Sequence, residues 1–385
     1  NRITDYINSM KILHIPNYYP PYIGGIGEVC YYLVNCLVDE KNVEQKVICF
    51  HGENRRVHET IHGVQVIRAK SFAQIMRQQI SFDLLSVMRK EMKAFAPDIV
   101  HFHMPNPLAC LYLLMCLPKK TKLIVHWHCD IVGQKFFYPL VKGLEKSILK
   151  RADKILITSP LYAPFSKPLQ PFLEKTDVLP NIISKEKVNI TTEMKKVADD
   201  IRRQYNRKPI IFTIGRHVLY KGIEYLVKAE SFIKSDCIIL IGGSGPLTDE
   251  LKEMAKGRER IKFIGFLPDK EMIEYMCASD IFAFPSITKN EAFGIALAEA
   301  MYCGAVPVTF TIEGSGVNYV SVNGETGIEV DNGDYISYAK AIDILLSDNV
   351  LYAKYRDNGM RRVEELFTLD AIKDKFISMY INILK

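Results

Sequence analysis

Short apolar runs alternate along this chain with longer segments in which apolar residues recur every three or four positions. The runs read as strands buried on both faces and the longer segments as covering helices, the pattern of parallel α/β layers. Strands are predicted at KILHIPN (residues 11–17), QKVICF (45–50), DIVHFH (98–103), KLIVHWH (122–128) and DKILITS (153–159). A glycine loop over residues 22–27 follows the first of them and opens a helix running to residue 37. The pattern breaks at DVLPNIIS (177–184), where Pro180 and Asn181 precede a polar, charged stretch. It restarts with PIIFTIG (209–215), CIILIGG (237–243), IKFIGF (261–266), DIFAFPS (280–286) and AVPVTF (305–310). Two Rossmann-like domains are expected, residues 10–181 and 182–368. An amphipathic helix at 369–385 (Ile372, Phe376, Met379, Tyr380, Ile383) needs an apolar surface to cover.

Length agrees with this division, because 385 residues with 48% hydrophobic content exceed the size at which one core keeps growing. Residues 1–9 precede the first strand and are set aside from the fold. The nine cysteines are scattered and never in CxxC spacing, which predicts reduced thiols and no structural zinc. The longest apolar run, PLACLYLLMCLP (107–118), falls short of the ~20 residues that span a bilayer. With no signal segment evident at the N-terminus, a cytoplasmic protein is expected, at most peripheral on the inner face of the membrane.

Charge adds one distinction. Residues 11–181 carry 22 Lys and Arg against 14 Asp and Glu, whereas residues 182–385 carry 27 against 29. A basic first half fits an anionic membrane or a phosphate-bearing partner, and it fits an ordinary solvated surface as well. Two segments could meet a membrane: the basic amphipathic stretch 135–154 and a predicted helix over 72–95. Each could equally cover a sheet. No nucleic-acid partner is expected.

Ligands of open α/β sheets sit at the carboxyl ends of the strands, and in the second domain the loops there are rich in chemistry. After PIIFTIG come Arg216 and Lys221-Gly222. These two cations could clamp a diphosphate, the guanidinium as a fork and the ammonium as a point charge; the alternative is two solvated charges. After CIILI comes GGSGPL (242–247), whose glycines, Gly243 among them, let backbone N–H groups approach a ligand at a helix start. It matches neither the P-loop nor the full dinucleotide fingerprint.

After DIFAFPS comes a loop leading to EAFGIALAE (291–299). On a helix, Glu291 and Glu299 would lie about 80° apart in rotation and about 12 Å apart along the axis. That is too far to share a proton and suits two separate groups of one elongated ligand. Carboxylates bind hydroxyl pairs, and the N–H groups of Phe293, Gly294, Ile295 and Ala296 at the helix start favour an anion. A dipole-held Glu291 and a solvated Glu299 form the alternative. His14, His101, His103 and His126 lie in apolar strands and read as core, whereas His128 ends its strand at the ligand-facing edge. The His-x-His spacings place alternate residues on one face and are not read as a metal site.

Taken together, Gly215-Arg216, Lys221-Gly222, GGSGPL, FIGFLPD (263–269), ASDIFAFPS (278–286), EAFGIALAEAMYCGAVPV and NGETG (323–327) resemble the family 4 retaining glycosyltransferases of GT-B fold. The match runs in order over most of the second domain. GGIGE (24–28), HFHMPNP (101–107) and VHWHCDIVGQK (125–135) extend it to the first, where the last block resembles enzymes of bacterial O-antigen, capsule and exopolysaccharide assembly. Cys129 departs from the pattern, since a small hydroxyl residue is common after the histidine.

The resemblance implies two Rossmann-like domains facing across a cleft, with the C-terminal helix crossing back to the first. It implies that Glu291 holds donor-sugar hydroxyls, Glu299 the ribose, and Arg216 and Lys221 the leaving diphosphate. His128 would reach the donor sugar, Gly24 and Gly25 would shape the loop beside the phosphates and acceptor, and backbone groups around Phe266 and Leu267 would meet the base. The expected substrates are a GDP- or UDP-sugar, with a lean to the GDP-mannose type, and a glycan or lipid-diphosphate-linked acceptor. Transfer would retain configuration and need no cofactor or metal, consistent with the lack of any Asp-x-Asp. A nucleotide-sugar epimerase and a two-domain small-ligand binding protein are the competing readings.

Overall fold

The computed structural model describes residues 10–22, 25–75, 78–131 and 138–385. Two compact units result. The first comprises the described residues through Thr158, Ala163–Leu179 and Ile372–Lys385; the second comprises Ser159–Tyr162 and Pro180–Ala371.

In the first unit the strands are β1 (Met10–Ile15), β2 (Val43–Phe50), β3 (Val57–Ile61), β4 (Val64–Ala69), β5 (Ala73–Ile75), β6 (Gln78–Ile80), β7 (Ile99–Met104), β8 (Lys122–Trp127), β9 (Lys154–Ile157) and β10 (Thr176–Val178). Eight of them form one sheet in the order β10-β9-β8-β7-β1-β2-β4-β3, parallel except for the β3–β4 pair, while β5 and β6 make a separate antiparallel hairpin. Every residue of β7 is buried, as a central parallel strand covered on both faces requires. Asn106 then starts the helix Pro107–Cys116, accepting a hydrogen bond from the Ala109 N–H (3.2 Å), with Pro107 in the first turn where no N–H is needed.

The helix Leu369–Leu384 buries Ile372, Phe376, Met379 and Tyr380 along one stripe. The Phe376 ring lies 6.2 Å from that of His101, and the Tyr380 hydroxyl lies 2.5 Å from His101 Nδ1. Burial of Phe376 alone contributes roughly 1.5–3 kcal/mol before entropy is counted. Lys373 anchors the outer side of the helix on Glu40 at 3.0 Å.

One sequence expectation changes here, and one open choice is decided. Residues 72–95 are not one helix: the β5–β6 hairpin precedes a helix that begins only at Asp83, where the Ser81 hydroxyl accepts from the Leu84 N–H (3.0 Å). That helix turns Leu84, Val87, Met88 and Met92 into the core. What remains outside is Phe72 stacked on Phe82 at 5.2 Å, with exposures of 54% and 75%. In the stretch 135–154 the helix is Tyr138–Arg151; Val141, Ile148 and Leu149 are buried and Lys142, Lys146 and Lys150 exposed, the arrangement of a helix covering a sheet.

The second unit holds β11 (Ile210–Ile214), β12 (Ile238–Gly242), β13 (Ile261–Gly265), β14 (Ile281–Phe284), β15 (Val306–Phe310) and β16 (Ile328–Val330). They form an all-parallel sheet in the order β13-β12-β11-β14-β15-β16. The order reverses direction between β11 and β14, so the loops after these neighbours open at the switch point where such sheets bind ligands.

Candidate active site

The loops leaving β11, β12 and β13 touch backbone to backbone. Gly243 has φ of +96°, and a Cβ there would sit 2.0 Å from the Gly215 carbonyl oxygen. Its N–H donates to the Gly265 carbonyl at 2.6 Å, and the His217 N–H donates to the Ser244 carbonyl at 3.0 Å. The His217 ring sits between the Thr248 hydroxyl (2.9 Å) and the Gly242 carbonyl (3.2 Å). Burial holds its pKa below the usual value against the opposing Gly242 contact. His217 therefore pins two of the loops, a role that sequence reasoning passed over although it directly follows Arg216.

Lys221 is positioned by the next residue. Gly222 has φ of +61°, and a Cβ there would meet the Pro285 carbonyl oxygen at 2.1 Å, so only glycine lets this turn rest on the loop after β14. That contact brings the Lys221 ammonium onto the Glu291 carboxylate, and both side chains are largely buried. The Ser286 hydroxyl donates to the same Glu291 oxygen at 3.3 Å. Burial is the largest single influence and lowers the Lys221 pKa, but the Glu291 charge, Tyr220 and the hydrogen bond to Glu291 together outweigh it, so the net shift is upward and the ammonium stays charged. The Phe284 ring, 5.2 Å from Nζ, adds a cation–π contact. Arg216 lies in the same loop with its side chain exposed, and no ion pair holds its guanidinium among the described residues.

Glu291 ends a loop held from the side by Ser315, whose hydroxyl donates to the Glu291 carbonyl, and by Gly316, whose N–H donates to the Ala292 carbonyl at 3.0 Å. Gly294 caps the helix Ile295–Tyr302 at φ of +93° with no side-chain cap bond, so the first-turn amides beginning at Ile295 have no intrahelical partner. Phe293 faces the other way, buried and edge-on to Phe367 at 5.3 Å; only its backbone can meet a ligand.

Glu299, on the second turn of that helix, is not solvated. It is 3% exposed and forms an ion pair with Lys187 (16% exposed) at 2.9 Å; Lys187 also lies 3.5 Å from Asp269. Lys187 went unnoticed in the sequence because it stands in the polar stretch after the domain break, far from any strand end. Phe266 is 73% exposed beside buried Leu267, with Gly265 before them at φ of +74°.

In the first unit, five histidines gather on one face of β1, β7 and β8. Register places His14 beside His101 and His103 beside His126. His101 and His103 stack at 4.6 Å, His126 and His128 at 4.1 Å. All five are buried. Burial depresses the pKa of His128 to about 3 and of His14 to about 4, and holds the other three well below the usual range. All are neutral imidazoles at pH 7. Donor atoms of His14, Cys30 and His103, and of His101, His103 and His126, lie within 4.8 Å of one another. Neither group includes a carboxylate, so neither suits the hard cations that bridge a diphosphate.

Gly24 lies outside the described residues. Gly25 opens the helix Gly25–Asn35 with free space around its Cβ position, whereas a Cβ on Gly27 would lie 2.5 Å from the Tyr18 carbonyl oxygen. Gly27 is thus the glycine this turn requires, and the sequence reading had weighted its neighbours.

Two family models match in tandem: the one described as Glycosyltransferase Family 4 over residues 23–187, and Glycosyl transferases group 1 over residues 195–362. O-antigen chain mannosyltransferase C of Escherichia coli is 27% identical over 98% of this chain and 99% of its own. D-rhamnosyltransferase WbpZ of Pseudomonas aeruginosa is 26% identical over 93% and 92%. The structure of Anabaena Alr3699/HepE in complex with UDP superposes with a TM-score of 0.73 at 17% identity, over 97% of this chain and all of that one. The two models in tandem, over two parallel α/β units, define a glycosyltransferase of GT-B fold. More narrowly, the chain belongs to glycosyltransferase family 4.

Proposed function

We propose that this enzyme moves a hexose from a nucleoside-diphosphate sugar, with retention of configuration, onto a glycan or lipid-diphosphate-linked acceptor in surface polysaccharide assembly. The full-length likeness to an O-antigen mannosyltransferase supports the product class and a lean toward GDP-mannose as donor. HepE binds UDP on the same fold, which keeps a UDP-sugar as the competing donor.

The observation that carries the proposal is the Lys221–Glu291 pair beside the uncapped helix start at Gly294. Cleaving the sugar–phosphate bond develops negative charge on the departing diphosphate, and a site organised around that charge lowers the barrier. Lys221, Arg216 and the amides from Ile295 onward supply positive potential there. Glu291 takes sugar hydroxyls through charge-assisted hydrogen bonds. Neutral His128 meets the sugar by hydrogen bonding rather than as an acid. Glu299, held by Lys187, takes the ribose hydroxyls, and the Phe266–Leu267 backbone meets the base. With no side-chain nucleophile assigned, the leaving phosphate oxygen accepts the acceptor proton on the same face. The chemistry runs without a metal.

Membrane contact belongs to the same reading. No helix among the described residues is long and apolar enough to cross a membrane. The exposed Phe72, Ile75 and Phe82 of the basic first unit supply a surface on which a cytoplasmic enzyme could rest at the inner face and reach a lipid-linked acceptor.

The test is thermal shift with UDP, GDP, ADP, dTDP and NAD, since a ligand at 100 times its dissociation constant stabilises by about 2.7 kcal/mol. One nucleoside diphosphate should stand out, GDP by this reading. Silence from all diphosphates with a shift from NAD would overturn it.

A further inference from the structure

His128 does not stand alone at the end of its strand. Its Nε2 lies 3.0 Å from Nδ1 of His103, and the two ring planes are nearly parallel, 10° apart. One hydrogen fits between two neutral nitrogens, so the pair must choose which ring donates. The choice fixes what His128 offers at Nδ1, which has no partner among the described residues.

The surroundings of His103 decide it. Its other nitrogen, Nε2, is buried without a hydrogen-bond partner. If His128 donated, His103 would carry its hydrogen on Nε2, leaving an N–H stranded in the interior. If His103 donates, Nε2 is a bare lone pair, and an unpaired buried acceptor is tolerated better than an unpaired buried N–H. The neighbours agree. The Gln45 amide nitrogen donates to the Val34 carbonyl at 3.0 Å, which turns its oxygen toward His14 Nε2 at 3.1 Å and puts the His14 hydrogen there. His14 Nδ1 is then also bare, and the buried Cys30 thiol is the hydrogen-bearing group placed among these atoms.

We propose that His103 is a positioning residue: its Nδ1–H, donated to His128 Nε2, locks His128 in the tautomer that presents Nδ1–H to the donor sugar as a hydrogen-bond donor. This rests on the assignment of His128 to the donor sugar. The stacked contacts of His126 with His128 at 4.1 Å and of His101 with His103 at 4.6 Å hold both ring planes, so His103 sets the hydrogen while its neighbours set the orientation.

The experiment compares His103→Leu, which cannot donate, with His103→Asn, whose amide nitrogen stands near the place of Nδ1. Nitrogen-15 spectra of histidine-labelled enzyme, with His128 identified by His128→Gln, should show a single Nδ1–H tautomer in the wild type. His103→Leu should show mixed tautomers and about tenfold lower kcat/KM, the loss of one hydrogen bond. His103→Asn should restore both. An unchanged His128 signature in His103→Leu, or an Nε2–H tautomer in the wild type, overturns the proposal. His128→Ala with full activity would instead overturn the assignment of His128 to the sugar, and with it the purpose of the lock; the spectra read the coupling without substrate, so the two failures separate.

Discussion

Replacing Lys187 by Met removes the ammonium 2.9 Å from the Glu299 carboxylate, which is 3% exposed. At an effective dielectric of about 20 the gross attraction across that distance is roughly 6 kcal/mol, most of it offset by desolvation of the two groups. Removing one member keeps the desolvation and forfeits the attraction, so the expected loss is about 3–5 kcal/mol. A domain of this size loses about 2–4 °C of Tm per kcal/mol, which makes a fall of roughly 6–20 °C in the transition of the second unit. Glu299→Gln should cost less, because Lys187 retains Asp269 at 3.5 Å and reaches solvent. The double variant Lys187→Met/Glu299→Leu, which removes both charges, should recover most of the Lys187→Met loss. Calorimetry of the three variants measures the shifts, and titration with GDP reads whether binding depends on the position of Glu299. A Tm change below 2 °C in Lys187→Met would refute the dependence of Glu299 on this pair.

The five buried histidines make the first unit acid-sensitive. Their pKa values are lowered in the fold, so between the ordinary value near 6.5 and the folded values (about 4 for His14, about 3 for His128) the unfolded chain binds more protons and stability falls with pH. Each fully effective group contributes up to about 1.4 kcal/mol per pH unit. Denaturant midpoints from pH 7 to 5 should drop steeply, and a flat profile would contradict neutral burial. Transfer activity should survive EDTA; loss that added magnesium restores would show a required metal. Phe72→Ser/Phe82→Ser should weaken co-sedimentation with anionic vesicles several-fold while leaving GDP binding intact, and equal sedimentation would remove that surface as the contact.

The strand–helix alternation was legible because central parallel strands are buried on both faces and so read as unbroken apolar runs. The segment 72–95 misled because Met76, Ile80, Leu84 and Met88 recur every four positions in the sequence, although Ile80 belongs to a hairpin and Leu84 to a later helix. Strand-end logic found Lys221 and Glu291 separately but gave them separate tasks. Their contact spans 70 positions and depends on Gly222 resting against Pro285, which no local pattern encodes. Four of the histidines were legible as interior residues, and His128 was set apart as the end of its strand. Their hydrogen bonds were not, since these require the register of β1, β7 and β8 and the Tyr380 hydroxyl from the far end of the chain.

In the proposed function, the Lys221–Glu291 contact turns donor entry into an exchange of partners. A free phosphate can draw the ammonium away only by stranding a largely buried carboxylate, and a free sugar can engage the carboxylate only by stranding the ammonium. A molecule that carries hydroxyls and diphosphate at the right separation satisfies both at once. Once those two halves are parted by reaction, neither fragment can hold the pair open alone. On that reading, the two side chains that take an intact donor also favour closing behind its products, so that selectivity and turnover share one device.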